Sequence, residues 1–478
     1  MKKAPLLLAL LFLCSYAHLH AQRMCGIELT RAALIAKDPS WAQRIEQQRA
    51  SQQGIADKYK QSLKNGAAQR TATVASPIPV IFHVIVTSAQ FNQIGGYAGI
   101  QQRIDSQIAL LNRDYNAQNS DSVLIPYGWK TRFASSGIHF GLAHTAPNGW
   151  GTPGYELEII PSTMDGFSGD ANDYSDAKHA ASGGLDAWDV SKYLNIWCIN
   201  FTDYNGLLGI TVSKSQCGGA GFPFDEEGVC VNYQAFGKRA STHDDYIACG
   251  YSTDGAPDYY DLGRTLTHEI GHFFEIWHTW GDDGGACPWS GSDLDDGLAD
   301  TPPEADHKFY NYPDTIPGGT YYDACHYDGA IDTQLTTYGV ASLDYMNYTD
   351  DIAMHLFTPD QAAMMAAQVA TGGENNTLTQ NPTLLNWPAN AGVTEQELDH
   401  EVGIFPNPTT GALSIGITGI SSLQQIAITN ILGEQVFTNS EARLHNFYSI
   451  DLSAMSKGIY FVRCTFASGS ITRKILLQ

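Results

Sequence analysis

Basic residues are scarce in this chain: 27 Lys and Arg stand against 50 Asp and Glu, giving a formal net charge of −23 over 478 residues. Such a surface repels nucleic acid and favours cations and positively charged partners, which excludes a nucleic-acid-binding role. The scarcity is uneven, since no Lys or Arg occurs between Lys308 and Arg443. Long apolar runs are missing as well. Beyond the N-terminus no stretch approaches the roughly 18 uninterrupted apolar residues of a membrane-spanning helix, so no transmembrane segment is expected in the mature protein. Cysteine is sparse and clustered: Cys14 and Cys25 lie near the start, six fall between 198 and 325, and Cys464 is near the end. An even six in an exported chain predicts three disulfides, with the pairing of Cys198, Cys217, Cys230 and Cys249 left open by the spacing.

Met1-Lys-Lys followed by a short Leu-rich run and by Ala17 to Ala21 has the charged start, apolar middle and small-residue end of a secretory signal, predicted to span 1–21. Leu13 before Cys14 is too bulky for a lipoprotein signal. Residues 22–75 are rich in Gln, Ala and charge, with a helical run at about 29–63, and are expected to be a propeptide. The β-branched run from Ser76 to Val86 predicts the first buried strand of a catalytic domain over 76–370. Ile104, Ile108, Leu111 and Tyr115 share a helical face in 100–115. Further strands are expected at 138–144, 194–200 and 208–212. From 371 to 400 Gly, Asn, Thr, Pro and Gln predominate, as in a linker. Short alternating strands at 412–417, 425–429, 435–437, 459–465 and 470–477 then predict a small all-β sandwich over 401–478.

The chemistry concentrates in 267–278, T-H-E-I-G-H-F-F-E-I-W-H. Residues four apart share a helical face, so His268 and His272 present two imidazoles to one metal ion with Glu269 beside them. His278 becomes a third ligand if the chain turns out of the helix and comes back. Three nitrogens with an open fourth position define a catalytic zinc, and Glu269 is placed to take a proton from water and return it to a leaving amine. Two other readings compete. A surface adhesin would keep the metal without turnover, and a gluzincin-type protease would draw its third ligand from a later glutamate rather than from His278.

The pattern H-E-x-x-H-x-x-x-x-x-H resembles the metzincin metalloproteases, although the glycine usual three residues after the second His is Glu275 here. D-Y-M-N-Y-T-D-D at 344–351 is similar to the Met-turn of the pappalysin branch. The resemblance implies an α+β fold, a twisted mixed sheet with flanking helices, with Met346 as the structural turn residue beneath zinc. It also implies that Tyr348 assists the oxyanion, that peptide substrates add a strand to the sheet edge, and that Asp350 and Asp351 line the pocket for the residue after the scissile bond. A carboxylate there accepts a guanidinium, so cleavage before Arg, and less well before Lys, is expected. That would make Gln69–Arg70 an autolysis site and would leave the 371–400 linker to another protease.

By the same resemblance, the acidic stretch D-G-L-A-D-T-P with its flanks is similar to a pappalysin calcium loop, which implies Asp293, Asp296, Asp300 and Thr301 as calcium ligands and Cys287–Cys325 as a disulfide. Arg23-Met-Cys25-Gly26 resembles the latency switch of matrix metalloproteases, in which a thiolate occupies the position of the catalytic water. F-P-N-P-T-T-G, N-I-L-G-E-Q-V and K-G-I-Y-F-V-R closely resemble the C-terminal sorting domain of type IX secretion substrates. This implies recognition by outer-membrane secretion machinery and a secreted or cell-surface location.

Overall fold

The computed structural model describes residues 24–65, 76–125, 127–149, 151–164, 166–167, 174–202, 207–238, 248–251, 257–282, 296–301, 304, 343–386, 402–417, 423–439, 447–466 and 469–478. The expected signal segment, Gln69–Arg70, Asp293, Cys287, Cys325 and residues 387–400 of the linker lie outside them.

The first unit is built on one sheet: β1 (Met24–Cys25), β2 (Ile78–Thr87), β3 (Phe140–Leu142), β4 (Tyr155–Ile160), β5 (Leu194–Ile199), β6 (Leu207–Val212) and β7 (Gly228–Asn232). The order is β1-β6-β7-β5-β2-β3, with β4 also pairing β2. Every pairing is parallel except β6 with β7. All ten residues of β2 are buried, which is why its sequence is apolar on both faces rather than alternating, apart from Thr87 at its end and His83, whose imidazole meets Asn195 at 2.9 Å. Before the zinc motif the chain forms α1 (Ile27–Lys37), α2 (Ser40–Lys64), α3 (Ser88–Ile94) and α4 (Gly96–Asp114). The single helical run expected at 29–63 is therefore two helices, broken at Asp38-Pro39, because proline disfavours helical backbone in the residue before it. A short hairpin, β8 (Ala248–Tyr251) with β9 (Pro257–Tyr259), precedes α5 (Arg264–Phe273), and α6 (Pro359–Val369) closes the unit. This is the mixed sheet with flanking helices that the resemblance implies. The strands β4 and β7 were not anticipated.

The sheet separates two apolar layers. Helices α4, α5 and α6 cover one face with Leu111, Ile270, Phe274, Met364 and Met365. The other layer holds Trp197, Ile210 and Trp277 together with Leu34 of α1 and Trp41 and Ile45 of α2. This division corrects the expectation of three disulfides, since Cys198, Cys217 and Cys230 are free thiols. Trp197, not Cys198, is the register partner of Cys230. Successive strand residues point to opposite faces, so Cys198 enters the first layer and Cys230 the second.

The C-terminal unit has its own core of Leu413, Ile415, Ile426, Ile428, Val462 and Ile475. One sheet has the order β10 (Val402–Phe405), β11 (Ala412–Ile417), β14 (Phe447–Asp451). The other is β13 (Gln435–Asn439), β12 (Leu423–Asn430), β15 (Gly458–Phe466), β16 (Gly469–Leu477), and every pairing is antiparallel. The expected small sandwich is present, with 402–405 and 447–451 as additional strands. Among the described residues no helix is long and apolar enough to cross a membrane.

Helix α6 starts on a reciprocal cap, in which Thr358 Oγ1 accepts from Gln361 N and the Gln361 side chain accepts from Thr358 N. Thr358 also donates to Asp300 at 2.7 Å. Thr358→Ala is expected to cost about 1–2 kcal/mol, read as a lower midpoint in chemical denaturation; an unchanged midpoint would show the cap to be dispensable.

Candidate active site

Helix α5 carries His268 and His272 one turn apart and ends at Phe274. The chain then takes a left-handed conformation at Glu275 (φ 70°), and this turn returns His278 to the same point. The three Nε2 atoms lie 3.0–3.2 Å from one another. Each opposite nitrogen is engaged: His268 Nδ1 with Tyr345 O at 2.7 Å, His272 Nδ1 with Ile276 O at 2.7 Å, and His278 Nδ1 with the Asp282 carboxylate. Those acceptors place the protons on Nδ1 and leave three lone pairs facing one another. Zinc–nitrogen bonds of about 2.0–2.1 Å in a tetrahedron put nitrogens about 3.3 Å apart, so the donor set fits zinc. Burial, then the neighbouring His278 ring and the Arg31 guanidinium, push His272 below its ordinary value and keep it neutral. Burial works to raise Asp282, but attraction to His278 and Arg31 holds it below the usual carboxylate range.

The fourth donor is Cys25. Its sulfur and the three imidazole nitrogens all lie within 4.8 Å of one another, a group able to hold a metal ion. Strand β1 places it there by pairing with β6, and Gly26 N donates to Gly209 O at 2.7 Å. Cys25 N donates to Tyr348 Oη at 3.1 Å, and the Tyr348 ring meets those of His278 and Trp280 edge-on at 4.9 and 4.7 Å. Burial, then the Glu269 charge, push the Cys25 thiol up, whereas a cation at the imidazoles favours the thiolate.

Glu269 is buried beside them, and Thr211 Oγ1 donates to its carboxylate at 2.7 Å. Two glycines make this arrangement possible. A Cβ on Gly209 would fall 2.5 Å from the Glu269 carboxyl, and one on Gly271 would fall 2.4 Å from Met346 Sδ. Met346 is therefore seated against the zinc helix, in the turn its sequence implied. Arg264 fixes that turn from the start of α5, donating to Tyr345 Oη at 2.7 Å, Met354 O at 2.6 Å and Asp121 at 2.9 Å.

Sequence reasoning missed Thr211, Gly209, Arg264 and Asp282. Only Asp282 left a signal, the i, i+4 spacing from His278, and its stretch was read instead as the start of a calcium loop. Among the described residues two of the expected calcium ligands, Asp296 and Thr301, meet each other. Asp296 accepts from Thr301 Oγ1 at 2.7 and 2.8 Å and from Leu298 N at 2.8 Å. Asp300 accepts from Thr358 Oγ1 and Asp360 N. Their oxygens thus face protein donors. Asp351 accepts from Leu262 N at 3.0 Å and Arg264 N at 3.3 Å and so caps α5, while Asp350 accepts from Tyr260 Oη at 3.4 Å. Both lie at the N-terminal end of the zinc helix.

A three-imidazole site with an adjacent glutamate, a turn out of the helix and a methionine beneath it defines a zinc metallopeptidase of the metzincin kind. Residues 181–370 match the family model of pregnancy-associated plasma protein-A peptidases, and residues 403–478 match that of a secretion system C-terminal sorting domain. The chain is 28% identical to a promirolysin mutant from Tannerella forsythia, with a TM-score of 0.52 over 76% of this chain and 98% of that one. It is 29% identical to mirolysin in complex with compound 9, with a TM-score of 0.50 over 65% of this chain and 99% of that one. Extracellular metalloprotease 1 of Coccidioides posadasii is 26% identical over 301 residues, 62% of this chain and 78% of the relative. The chain is thus a zinc metalloendopeptidase, not a turnover-free adhesin, and its sorting domain directs it by type IX secretion to the cell surface or beyond.

Glu275 occupies the turn at a cost of about 1–2 kcal/mol for left-handed backbone. Its carboxylate accepts from Gln48, and Ser215 N donates to it at 3.4 Å. Burial pushes its pKa from 4.5 up to about 7. The folded chain therefore binds this proton more tightly than the unfolded chain does, and stability is lost as pH rises from 4.5 through about 7. Glu275→Gln is expected to raise the thermal midpoint over the parent at about pH 8 and to lose most of that advantage below pH 4.5; an equal gain at both would contradict the assignment.

Proposed function

We propose that the chain is made as a latent endopeptidase in which residues 22–75 close the active site and Cys25 is the fourth ligand of the zinc. The convergence of the Cys25 sulfur with the three imidazole nitrogens carries this reading. Tyr348 and the edge of β6 hold the same segment in place.

When bound, zinc supplies the Lewis acidity that makes a water acidic near neutral pH. Glu269 accepts the proton of that water, with Thr211 holding the carboxylate in position, and passes it to the departing amine. Tyr348 Oη, which in the latent chain accepts from Cys25 N and donates to Cys25 O at 3.5 Å, is freed when the segment leaves. It then donates to the oxygen of the attacked carbonyl. Gly209 keeps β6 close enough for a substrate backbone to add as a strand.

Asp350, at the N-terminal end of α5, is the carboxylate we assign to the pocket for the residue after the cut, with Asp351 bracing it through the helix N-terminus. This supports cleavage before Arg and makes Gln69–Arg70 the processing site. The absence of Lys and Arg between 308 and 443 leaves removal of the sorting domain to a separate protease.

The full chain, its Cys25→Ala variant and its Glu269→Ala variant test this on a peptide library read by mass spectrometry. Cys25→Ala is expected to cut before Arg at least about 10-fold faster than the parent at first mixing, and Glu269→Ala not at all. A parent chain as active as Cys25→Ala from the outset would overturn the latency. With Asp350→Asn, the preference for Arg after the cut should fall by about 10-fold or more; retention of that preference would move the pocket elsewhere.

A further inference from the structure

Arg31, on α1, lies on the flank of the site rather than in it. Its guanidinium carbon sits 3.4 Å from the centroid of the Trp277 ring, and it forms an ion pair with Asp282. Arg49 of α2 lies over the same indole at 5.9 Å. Trp277 is only 4% exposed; the N-terminal segment lays these two guanidinium groups over its ring and contributes Leu34, Trp41 and Ile45 to the apolar cluster that also holds Ile210 and Phe222. Departure of that segment would leave a flat aromatic face next to a buried carboxylate, with the Arg31 guanidinium gone from between them.

We propose that Trp277 and Asp282 form a subsite for the guanidinium group of a substrate arginine, held in the latent chain by Arg31. The inference rests on the latency reading, since the subsite opens only when residues 22–69 leave. A planar cation stacks on the indole while its N–H groups meet the carboxylate, which suits Arg better than Lys. Position follows from the ends of α5. Asp350 and Asp351 lie at its N-terminal end, whereas Trp277 and Asp282 follow its C-terminal end. The subsite is therefore on the opposite side of the zinc from the pocket assigned to the residue after the cut, and it takes a residue before the cut. From Cys25, the turn at Gly26 and four helical residues carry the chain at most about 13 Å, the span of about four extended residues. Allowing for the long Arg side chain, the position served lies about two to four residues before the scissile bond.

The test uses the full chain activated by limited trypsin treatment and then trypsin inhibitor, with matched peptides carrying Arg or citrulline at each of those positions. Citrulline keeps the shape and removes the charge. At one of them, kcat/KM is expected to favour Arg by about 5–30-fold, mainly through KM. In Trp277→Leu that ratio should fall toward one while the Arg-over-citrulline ratio after the cut persists. A ratio near one in the parent, or one unchanged in Trp277→Leu, overturns the subsite and leaves the protease reading intact. No cleavage of any peptide by the activated parent overturns the latency reading and the subsite with it. Arg31→Ala, which alters only the departing segment, should shorten the activation time several-fold; an unchanged time also overturns the proposal.

Discussion

Three imidazole nitrogens facing one another at 3.0–3.2 Å are the constraint on which the rest of the catalytic unit depends. Neutral lone pairs at that separation repel unless a cation lies among them, so something must hold each ring in place. Here each ring is held from behind by an acceptor from a different part of the chain: the Met-turn, the turn after α5 and Asp282. The helix carrying two of them is fixed at its start by Asp351 and by the Arg264 network reaching α4 and the turn. The fold thus supplies rigidity where the metal supplies attraction, and the close approach of Gly271 to Met346 joins the two.

The N-terminal segment competes for several features that catalysis uses. In the latent state proposed above Cys25 takes the fourth ligand position, while β1 lies on the strand edge, its backbone meets the Tyr348 hydroxyl, and α2 reaches Glu275 through Gln48 and through Gln52, which donates to the Glu275 carbonyl. Each contact is modest alone. Because they lie along one continuous segment, loss of one leaves the others in place, and the segment binds with the tethered advantage of an intramolecular ligand.

Much of this was legible in the sequence where chemistry has a fixed period. His268 and His272 are four apart, β2 is an apolar run interrupted only by His83 before its closing Thr87, and the C-terminal strands alternate with period two. Legibility failed where function is assembled from residues far apart in the chain. Thr211 and Gly209 are ordinary strand residues until Glu269 is folded against them. Arg264 looks like a surface helix residue, yet it is 4% exposed. The cysteines misled because an even count suggests pairing, while register and the pleat place Cys198 and Cys230 on opposite faces of the sheet. The acidic cluster was legible only as composition, and the hydroxyl and backbone donors that meet Asp296 and Asp300 left no signal in it.

Strand β1 lies at the margin of the sheet, outside β6. The proposed function needs an unpaired strand there, because that row of backbone donors and acceptors is what would capture an extended substrate. The same row would pair as readily with the edge of another copy. A secreted chain crosses crowded compartments before it meets its substrates, and during that passage its own N-terminus caps the margin. Under the latency proposed above, the segment that silences catalysis would also guard against strand-to-strand aggregation, and activation would be the moment at which the enzyme first becomes adhesive to unfolded chains, its own included.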